Sequence, residues 1–394
     1  MQDLFLQSFF DIAIDPYFYG SQKPVSGGLR DTAGIGAYAR HLRNYVFDDN
    51  STSPIVAHCD TIVETALYAG PLFLHYGHFI MESLSRLWAY SELKKIYPDL
   101  KVVYCPFHNK AEELTVDNLP SYVSDILKSL SIEVCDIVLV KSTVLVKHLF
   151  LPEQGCGLNI NIHPSFLEFL DGHIGGYDDR RKVNIPVNKK IYVCRLGVKH
   201  KGSLFGEALL AHILEINGFY IFYPERYSFS DQILTYKSAQ CLVFAEGTAI
   251  HSLVFCGALN CPVVLVKRRK GSIFETQLNS QEIKYTSLGP GLLLPEIYPG
   301  GSVNQLHYMD LYELANNIGR VLSFTVVKPS DASVEELLKL DLAHHAILSW
   351  NQSPQLFAKN FGKLLRVLSK MLPFEHKHAT KSLVRFHRNI LRNC

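Results

Sequence analysis

The chain has 394 residues, of which 47% are hydrophobic and 19% charged, and its formal net charge is +2. This length exceeds what one ordinary hydrophobic core holds, so two domains of about 150–200 residues each are expected. The hydrophobic content excludes global disorder. The nearly balanced charge argues against nucleic acid as the main partner, because domains that bind it carry a clustered basic excess.

The cysteine pattern and the N-terminus both point to a cytoplasmic protein. The nine cysteines are odd in number, irregularly spaced and never arranged as CxxC, so neither a zinc site nor a disulfide framework is predicted. The first residues lack the basic start and apolar core of a signal peptide. The longest apolar region, Cys241–Val266, contains Glu246 and His251, and a carboxylate in the bilayer is costly, so no transmembrane helix is expected.

The first segment with candidate chemistry is Gly77–Trp88. Its pattern predicts an amphipathic helix on which His78, Glu82 and Arg86 share one face, at i, i+4 and i+8. No third ligand with suitable spacing supports a metal, since His75 lies before the predicted helix. A histidine next to a carboxylate suits acid–base chemistry. The alternative is a solvated ion pair with an incidental histidine.

The rest of the first half predicts a further α/β region. Helices are expected near Leu93–Tyr97 and Val123–Leu130, and strands at Lys101–Cys105, Glu133–Val140 and Thr143–Leu149. We therefore predict an N-terminal α/β lobe over residues 1–175. The glycines and the charge cluster between Asp171 and Lys189 have the composition of a linker.

Residues 189–266 alternate short apolar runs with helical patterns, which predicts a βαβαβαβ unit with a parallel sheet. The strands are expected at 191–194, 219–223, 241–245 and 262–266. This unit forms the centre of a second, Rossmann-like lobe over residues 186–325. Its first strand leads into Arg195, Lys199, His200 and Lys201, which are candidates to clamp a phosphate. The alternative is a basic surface loop.

The segment Phe244–His251 is the main candidate for ligand binding. The end of a buried strand, Gly247 and a predicted helix starting near Thr248 meet at the carboxyl edge of the sheet, where open α/β folds bind ligands. A helix N-terminus favours a diphosphate there. Glu246 is placed to accept hydrogen bonds from sugar hydroxyls. Ala249 and His251 are the remaining candidates for ligand binding in this segment. The alternative is an ordinary strand–turn–helix junction.

The last part of the chain, 330–394, is predicted to be helical, with a start resembling a capping box at Ser333. The stretch Lys377–Arg392 is basic and amphipathic. It suits either a helix on an anionic membrane surface or a helix packed on the body of the protein.

Taken in order, these motifs resemble glycosyltransferase family 61, in particular bacterial members associated with capsular and other surface polysaccharides. The first-half motif is His78-Phe79, Glu82 and Arg86-Leu87. The second-half series is Arg195, Gly218-Phe219, Pro224-Glu225, Gln232, Ala239, Glu246-Gly247-Thr248-Ala249-Ile250-His251 and Phe255.

The resemblance implies a GT-B arrangement, with two Rossmann-like lobes facing across a cleft, and an inverting transfer from a nucleotide sugar to a glycan acceptor. His78 and Glu82 would be catalytic. Arg195, Lys199, Glu246, Gly247, Thr248, Ala249 and His251 would bind the donor, while Arg86 and His75 would support the acceptor. No cofactor or metal is expected. A nucleotide-sugar epimerase and a non-catalytic scaffold for polysaccharide assembly remain as alternatives.

Overall fold

The computed structural model describes residues 3–18, 26–30, 41, 59, 61–107, 111–174, 186–271 and 273–372. The predicted basic helix at 377–392 and most of the predicted linker, residues 175–185, lie outside these ranges. Within the described ranges, no helix is both long enough and apolar enough to cross a bilayer.

The first half of the described chain is built on a six-stranded sheet with the strand order β2-β1-β6-β3-β4-β5. Strands β3, β4, β5 and β6 pair in parallel with one another, whereas β1 runs antiparallel to both β2 and β6. The strands are β1 Leu6–Phe18, β2 Ser26–Leu29, β3 Thr61–Leu72, β4 Lys101–Pro106, β5 Ile137–Leu139 and β6 Val144–Pro152. The predicted strand at 133–140 is shorter than expected, since 134–136 form a 3₁₀ turn.

The second half contains a five-stranded, fully parallel sheet with the order β12-β11-β10-β7-β9. The strands are β7 Lys190–Val193, β9 Phe219–Phe222, β10 Cys241–Ala245, β11 Val263–Val266 and β12 Tyr285–Leu288. The four predicted strands of the βαβαβαβ unit and its first two helices are therefore confirmed. Its strands are readable from sequence because a parallel sheet covered on both faces has nearly continuous apolar strands.

A small third sheet lies beside the second, with β8 Ser203–Leu204, β13 Leu292–Leu293 and β14 Leu306–Tyr308 in the order β13-β14-β8. The α-helices of the described chain are α1 Tyr76–His78, α2 Tyr90–Ile96, α3 Ser121–Ser129, α4 Pro164–Ile174, α5 Glu207–Ile216, α6 Phe229–Lys237, α7 Ile273–Ser280, α8 Leu311–Val321, α9 Asp331–Gln352 and α10 Pro354–Met371. The helix predicted after 330 begins earlier than expected, with the Ser330 hydroxyl accepting a hydrogen bond from the Ser333 N–H.

One apolar cluster joins the two large sheets. It contains Phe79 and Leu84 from the first half together with Phe229, Phe244 and Phe255 from the second, all almost completely buried. The opposite face of the second sheet packs against α5, α8, α9 and α10. The fold is thus a mixed α/β arrangement in which shared packing holds the segment around residue 79 against the end of β10.

Candidate active site

The parallel sheet reverses its strand order between β7 and β10, because β9 lies on one side of β7 and β10, β11 and β12 lie on the other. In open α/β sheets the crevice at the carboxyl ends of such a pair is the usual ligand site. Arg195 follows the end of β7 by two residues, and Glu246 and Gly247 follow β10 directly. The predicted ligand edge therefore coincides with the topological switch point.

A cavity of about 340 Å³ opens at this point, and we call it the intersheet cavity. The first half of the chain contributes Tyr76, Ser121 and Tyr122 to its wall. The second half contributes the following residues: Val193, Cys194, Arg195, Val198, Pro224, Glu225, Tyr227, Gln232, Ala245, Gly247, Thr248 and Ala249. The cavity thus combines aromatic rings, one carboxylate and one guanidinium.

Arg195 is a buried cation fixed by backbone groups. Its Nε donates to the Gly202 carbonyl at 3.0 Å and its Nη2 donates to the Lys201 carbonyl at 2.9 Å. Burial lowers its pKa, against the opposing charges of Glu207 and Glu246. No described residue accepts a hydrogen bond from Nη1, which lies over Gly247. This nitrogen is a donor available at the wall of the intersheet cavity.

Gly247 is required by this contact and not by its backbone angles. Its φ of −176° is extended, which any residue adopts. A Cβ atom at this position, however, would lie 2.0 Å from Arg195 Nη1. The absence of a side chain therefore lets the guanidinium lie against the backbone.

The helix after Gly247 is a 3₁₀ helix, Thr248–Phe255, and the expected α-helix is not formed. A 3₁₀ helix has three residues per turn, so side chains three apart lie above one another. All residues from Ile250 to Phe255 are buried, so this helix is packed on every side. No described residue accepts a hydrogen bond from the N–H of Thr248 or Ala249.

Glu246 has a structural role that differs from the predicted one. Its carboxylate accepts hydrogen bonds from the backbone N–H of Arg268 at 2.6 Å and of Arg269 at 3.0 Å, and from Arg269 Nε at 2.9 Å. Burial raises its pKa, but the charges of Arg268 and Arg269 outweigh burial and the net shift is downward. The prediction that Glu246 accepts sugar hydroxyls is not supported, because this carboxylate already holds the chain after β11.

His251 is buried between the two halves of the protein. Its Nδ1 is 2.6 Å from Gln277 Oε1, and a Cβ atom on Gly77 would lie 3.2 Å from its Nε2. Burial lowers its pKa to about 4, assisted by the charges of His78 and His75. His251 is therefore neutral at pH 7 and packs against the His75–Glu82 segment.

The segment around His78 follows Tyr76, which lines the intersheet cavity, but it is not one continuous helix. A three-residue α-turn, Tyr76–His78, runs into a π-helical turn, Phe79–Ser83, and the chain then breaks at Leu84–Arg86. The His78 and Glu82 side chains still meet through a short hydrogen bond from ring Nδ1 to Oε2. Glu82 is fully buried, whereas the His78 side chain is 31% exposed. With Nδ1–H directed at this carboxylate, Nε2 is the unprotonated nitrogen of the neutral ring.

Two further histidines lie next to this pair. Nε2 of buried His41 lies 3.5 Å from the other Glu82 oxygen, and the His75 ring centre is 5.0 Å from that of His78. The His75 side chain is exposed to solvent, although nearby protein atoms partly desolvate its ring. Partial desolvation, with the charges of His78, Lys201 and Arg195, lowers its pKa to about 4.

Arg86 and Lys199 do not join this site. The break at Leu84–Arg86 turns Arg86 away from the predicted shared face, and its buried guanidinium donates to the Pro152 carbonyl. The Lys199 ammonium forms a buried ion pair with Asp341 of α9. The predicted phosphate role of Lys199 is not supported, because its charge is already neutralised by Asp341 and the residue does not line the cavity.

Two groups of residues were missed by the sequence reasoning. The first group is Tyr122 and Tyr227, which line the intersheet cavity and come from segments without a local motif. The basic run Lys267–Lys270 follows β11 directly, and it did carry a signal: four cations immediately after a buried strand, at the predicted ligand edge.

The part of the chain that carries this geometry matches a known protein family. Residues 76–262 match the sequence model of a family described as Glycosyltransferase 61, which covers slightly less than half of the chain. The match starts at Tyr76 on the first wall of the intersheet cavity and includes Arg195 and the segment Glu246–His251 on the second. It supports a glycosyltransferase function. A search of curated proteins found no match.

Proposed function

We propose that this protein is an inverting glycosyltransferase that transfers a sugar from a nucleotide-sugar donor to a hydroxyl group of a glycan acceptor, without a metal ion. The observation that carries the proposal is the free Arg195 Nη1 at the wall of the intersheet cavity, at the switch point of the parallel sheet. Guanidinium nitrogens bind phosphate strongly.

The donor occupies the intersheet cavity. Its diphosphate contacts Arg195 Nη1 and the backbone N–H groups of Thr248 and Ala249, which are free among the described residues. The nucleoside lies near Tyr122 and Tyr227, which offer aromatic surface, and near Glu225, whose carboxylate suits ribose hydroxyls. These donors, not a metal, offset the charge of the departing diphosphate.

His78 is the general base, and Glu82 holds its ring in place. His78 Nε2 takes the proton of the acceptor hydroxyl while the hydroxyl oxygen forms a bond to the anomeric carbon. The bond from that carbon to the diphosphate breaks, and the diphosphate leaves with the electron pair. A single displacement of this kind inverts the anomeric configuration. The buried Glu82 carboxylate stabilises the protonated ring, as the aspartate does in serine protease triads.

We also propose that the product belongs to a capsular or other surface polysaccharide and is made in the cytoplasm. The support is the order of motifs shared with bacterial members of the family. A GT-B arrangement of two lobes, 1–175 and 186–325, with a helical segment over 330–394, fits the two parallel-rich sheets and the helices that pack on the second.

The test is to titrate the full-length protein with a panel of nucleoside diphosphates and to follow slow hydrolysis of the matching nucleotide sugars. We expect one base to bind and Tyr227→Ala to weaken its binding about tenfold or more, since stacking on one aromatic ring contributes about 1–3 kcal/mol. Tyr312→Ala, on α8, is the matched control and should bind normally.

The two alternatives give different results in the same assay. An epimerase forms an isomeric nucleotide sugar from the donor alone, with no acceptor present. A non-catalytic scaffold binds no nucleoside diphosphate and tolerates Tyr227→Ala without any change. Either result would overturn the proposal.

A further inference from the structure

We propose that a second cavity, next to the intersheet cavity, binds a phosphate or diphosphate group attached to a hydrocarbon chain, and that this ligand is the lipid carrier of the acceptor glycan. The cavity measures about 500 Å³ and lies between the end of β11, the start of α7 and the small third sheet. We call it the basic cavity. Its assignment to the acceptor rests on the proposed function.

The basic cavity has an excess of positive charge. Its wall carries Lys267, Arg268, Arg269 and Lys270, against two carboxylates, Glu246 and Glu275. Lys267 is paired with Glu275 at 2.9 Å, and Arg269 is paired with Glu246 at the same distance. Arg268 and Lys270 are left without a carboxylate in ion-pair distance among the residues that the structure describes. Two unpaired cations match a dianionic headgroup.

Arg268 is the most crowded of these cations. Its guanidinium is buried and donates only to carbonyl oxygens, those of Glu246 at 3.2 Å and Val303 at 3.4 Å. Burial, with the charges of Arg195 and Arg269, lowers its pKa to about 9. A cation held among other cations in a desolvated wall gains from a bound anion. The first three residues of α7 also line this wall, and the N-terminus of a helix favours an anion.

The mouth of the cavity is apolar. Leu292, Leu293 and Val303 line it and are 54%, 49% and 52% exposed. Three exposed branched side chains beside an anion site offer no hydrogen bonds to a nucleotide or an inorganic ion. They suit an acyl or isoprenoid chain, whose burial on them is favourable. The combination of cationic wall and aliphatic rim therefore selects an amphiphile with a phosphorylated end.

The basic cavity adjoins the proposed donor pocket. Glu246 lines the basic cavity and the next residue, Gly247, lines the intersheet cavity. The guanidinium groups of Arg195 and Arg268 both lie against Gly202, one bonded to its carbonyl oxygen and the other next to its Cα. A glycan anchored through its diphosphate in the basic cavity is thus close to the transferred sugar.

The test uses farnesyl diphosphate, inorganic diphosphate and farnesol as probes in calorimetric titrations of the full-length protein. We expect farnesyl diphosphate to bind about tenfold more tightly than inorganic diphosphate and farnesol to bind least. Lys270→Glu should weaken both diphosphates about tenfold, because a charge-assisted contact becomes a repulsive one. Leu292→Asn combined with Leu293→Asn should weaken farnesyl diphosphate alone. All three side chains are exposed, so folding is preserved.

Matched controls separate these effects from general changes in charge or surface. Lys284→Glu reverses an exposed charge elsewhere, and Leu340→Asn with Ile347→Asn replaces two exposed apolar side chains on α9. Neither should change binding of farnesyl diphosphate. All variants should keep the affinity for the nucleoside diphosphate that the intersheet cavity binds, so a failure here leaves the donor assignment intact.

Three results would overturn the inference. Mutual displacement of farnesyl diphosphate and the nucleoside diphosphate would make the basic cavity part of the donor site. The second is equal affinity for farnesyl and inorganic diphosphate, with no effect of the paired leucine substitutions. That result would show that the site does not recognise the hydrocarbon chain. An absence of binding by any phosphorylated probe would remove the site altogether.

Discussion

The guanidinium of Arg195 lies against the backbone of Gly247, so closely that a Cβ atom on residue 247 would be 2.0 Å from Nη1. The two residues follow β7 and β10, the neighbouring strands between which the sheet reverses its order. This contact explains why residue 247 is a glycine, although its backbone angles are open to any residue. It also explains how a buried cation keeps one nitrogen directed at a ligand cavity.

Substitution of Gly247 by alanine should therefore disable donor binding. The new methyl group displaces the guanidinium and breaks its bonds to the carbonyls of Gly202 and Lys201. We expect nucleoside diphosphate affinity, measured by calorimetry, to fall about tenfold or more, since one charged hydrogen bond contributes about 1.5–3 kcal/mol. Gly172→Ala, at a glycine with open space around it, should bind normally. Unchanged affinity in Gly247→Ala would show that Arg195 does not contact the donor.

The His78–Glu82 pair should control turnover without controlling donor affinity. We expect His78→Gln and Glu82→Gln each to reduce the sugar-transfer rate by about 10²–10⁴-fold, the usual contribution of general acid–base catalysis. The nucleoside diphosphate affinity should not change, because neither residue lines the intersheet cavity. The control is Glu92→Gln, an exposed carboxylate on α2. Rates that stay normal in both variants would place the base elsewhere.

The Lys199–Asp341 ion pair should matter for stability and not for ligand binding. Asp341→Ala leaves the Lys199 ammonium buried without its partner, which typically costs about 3–5 kcal/mol. Replacing both residues with Met and Leu should recover much of this loss, because no unpaired charge remains. Urea denaturation measures the free energy of unfolding. The single Lys199→Met variant should keep its nucleoside diphosphate affinity, and a large loss would restore the donor role predicted from the sequence.

The buried histidines His251 and His345 should make the protein less stable in mild acid. Burial lowers the pKa of each to about 4, whereas an unfolded histidine has a pKa of about 6.5. Between these values the unfolded chain binds protons that the folded chain does not. The free energy of unfolding therefore falls as the pH decreases from about 6.5 to about 4, by up to about 1.4 kcal/mol per pH unit for each histidine.

Denaturation curves measured between about pH 7 and pH 4.5 test this dependence. The His251→Gln variant should show a shallower decrease than the parent protein, because one of the two groups no longer binds a proton. His212→Gln, at a partly exposed position on α5, should leave the slope unchanged. A parent protein whose stability is constant across this range would contradict the burial of both rings.

The second sheet was predicted correctly because each of its strands is encoded by a short run of neighbouring residues. Strands β7, β10 and β11 are short apolar runs between turn residues, and each is buried on both faces. The long strands β1 and β3 were missed for a local reason too. They contain Pro16 and Pro71, which argue against a strand, and the structure accommodates both near shifts of register.

The sequence by itself determined the parallel sheet, the residues at its carboxyl edge and the His78–Glu82 spacing, because each depends on residues a few positions apart. Only the tertiary structure decided which candidate residues line a cavity and which are held by contacts inside the protein. Glu246 is held by residues 22 and 23 positions later, and Lys199 by one 142 positions later. The helix at His78 breaks where Tyr104 donates to the Ser83 carbonyl. Such partners satisfy buried polar groups, and local spacing contains no information about which distant residue will do so.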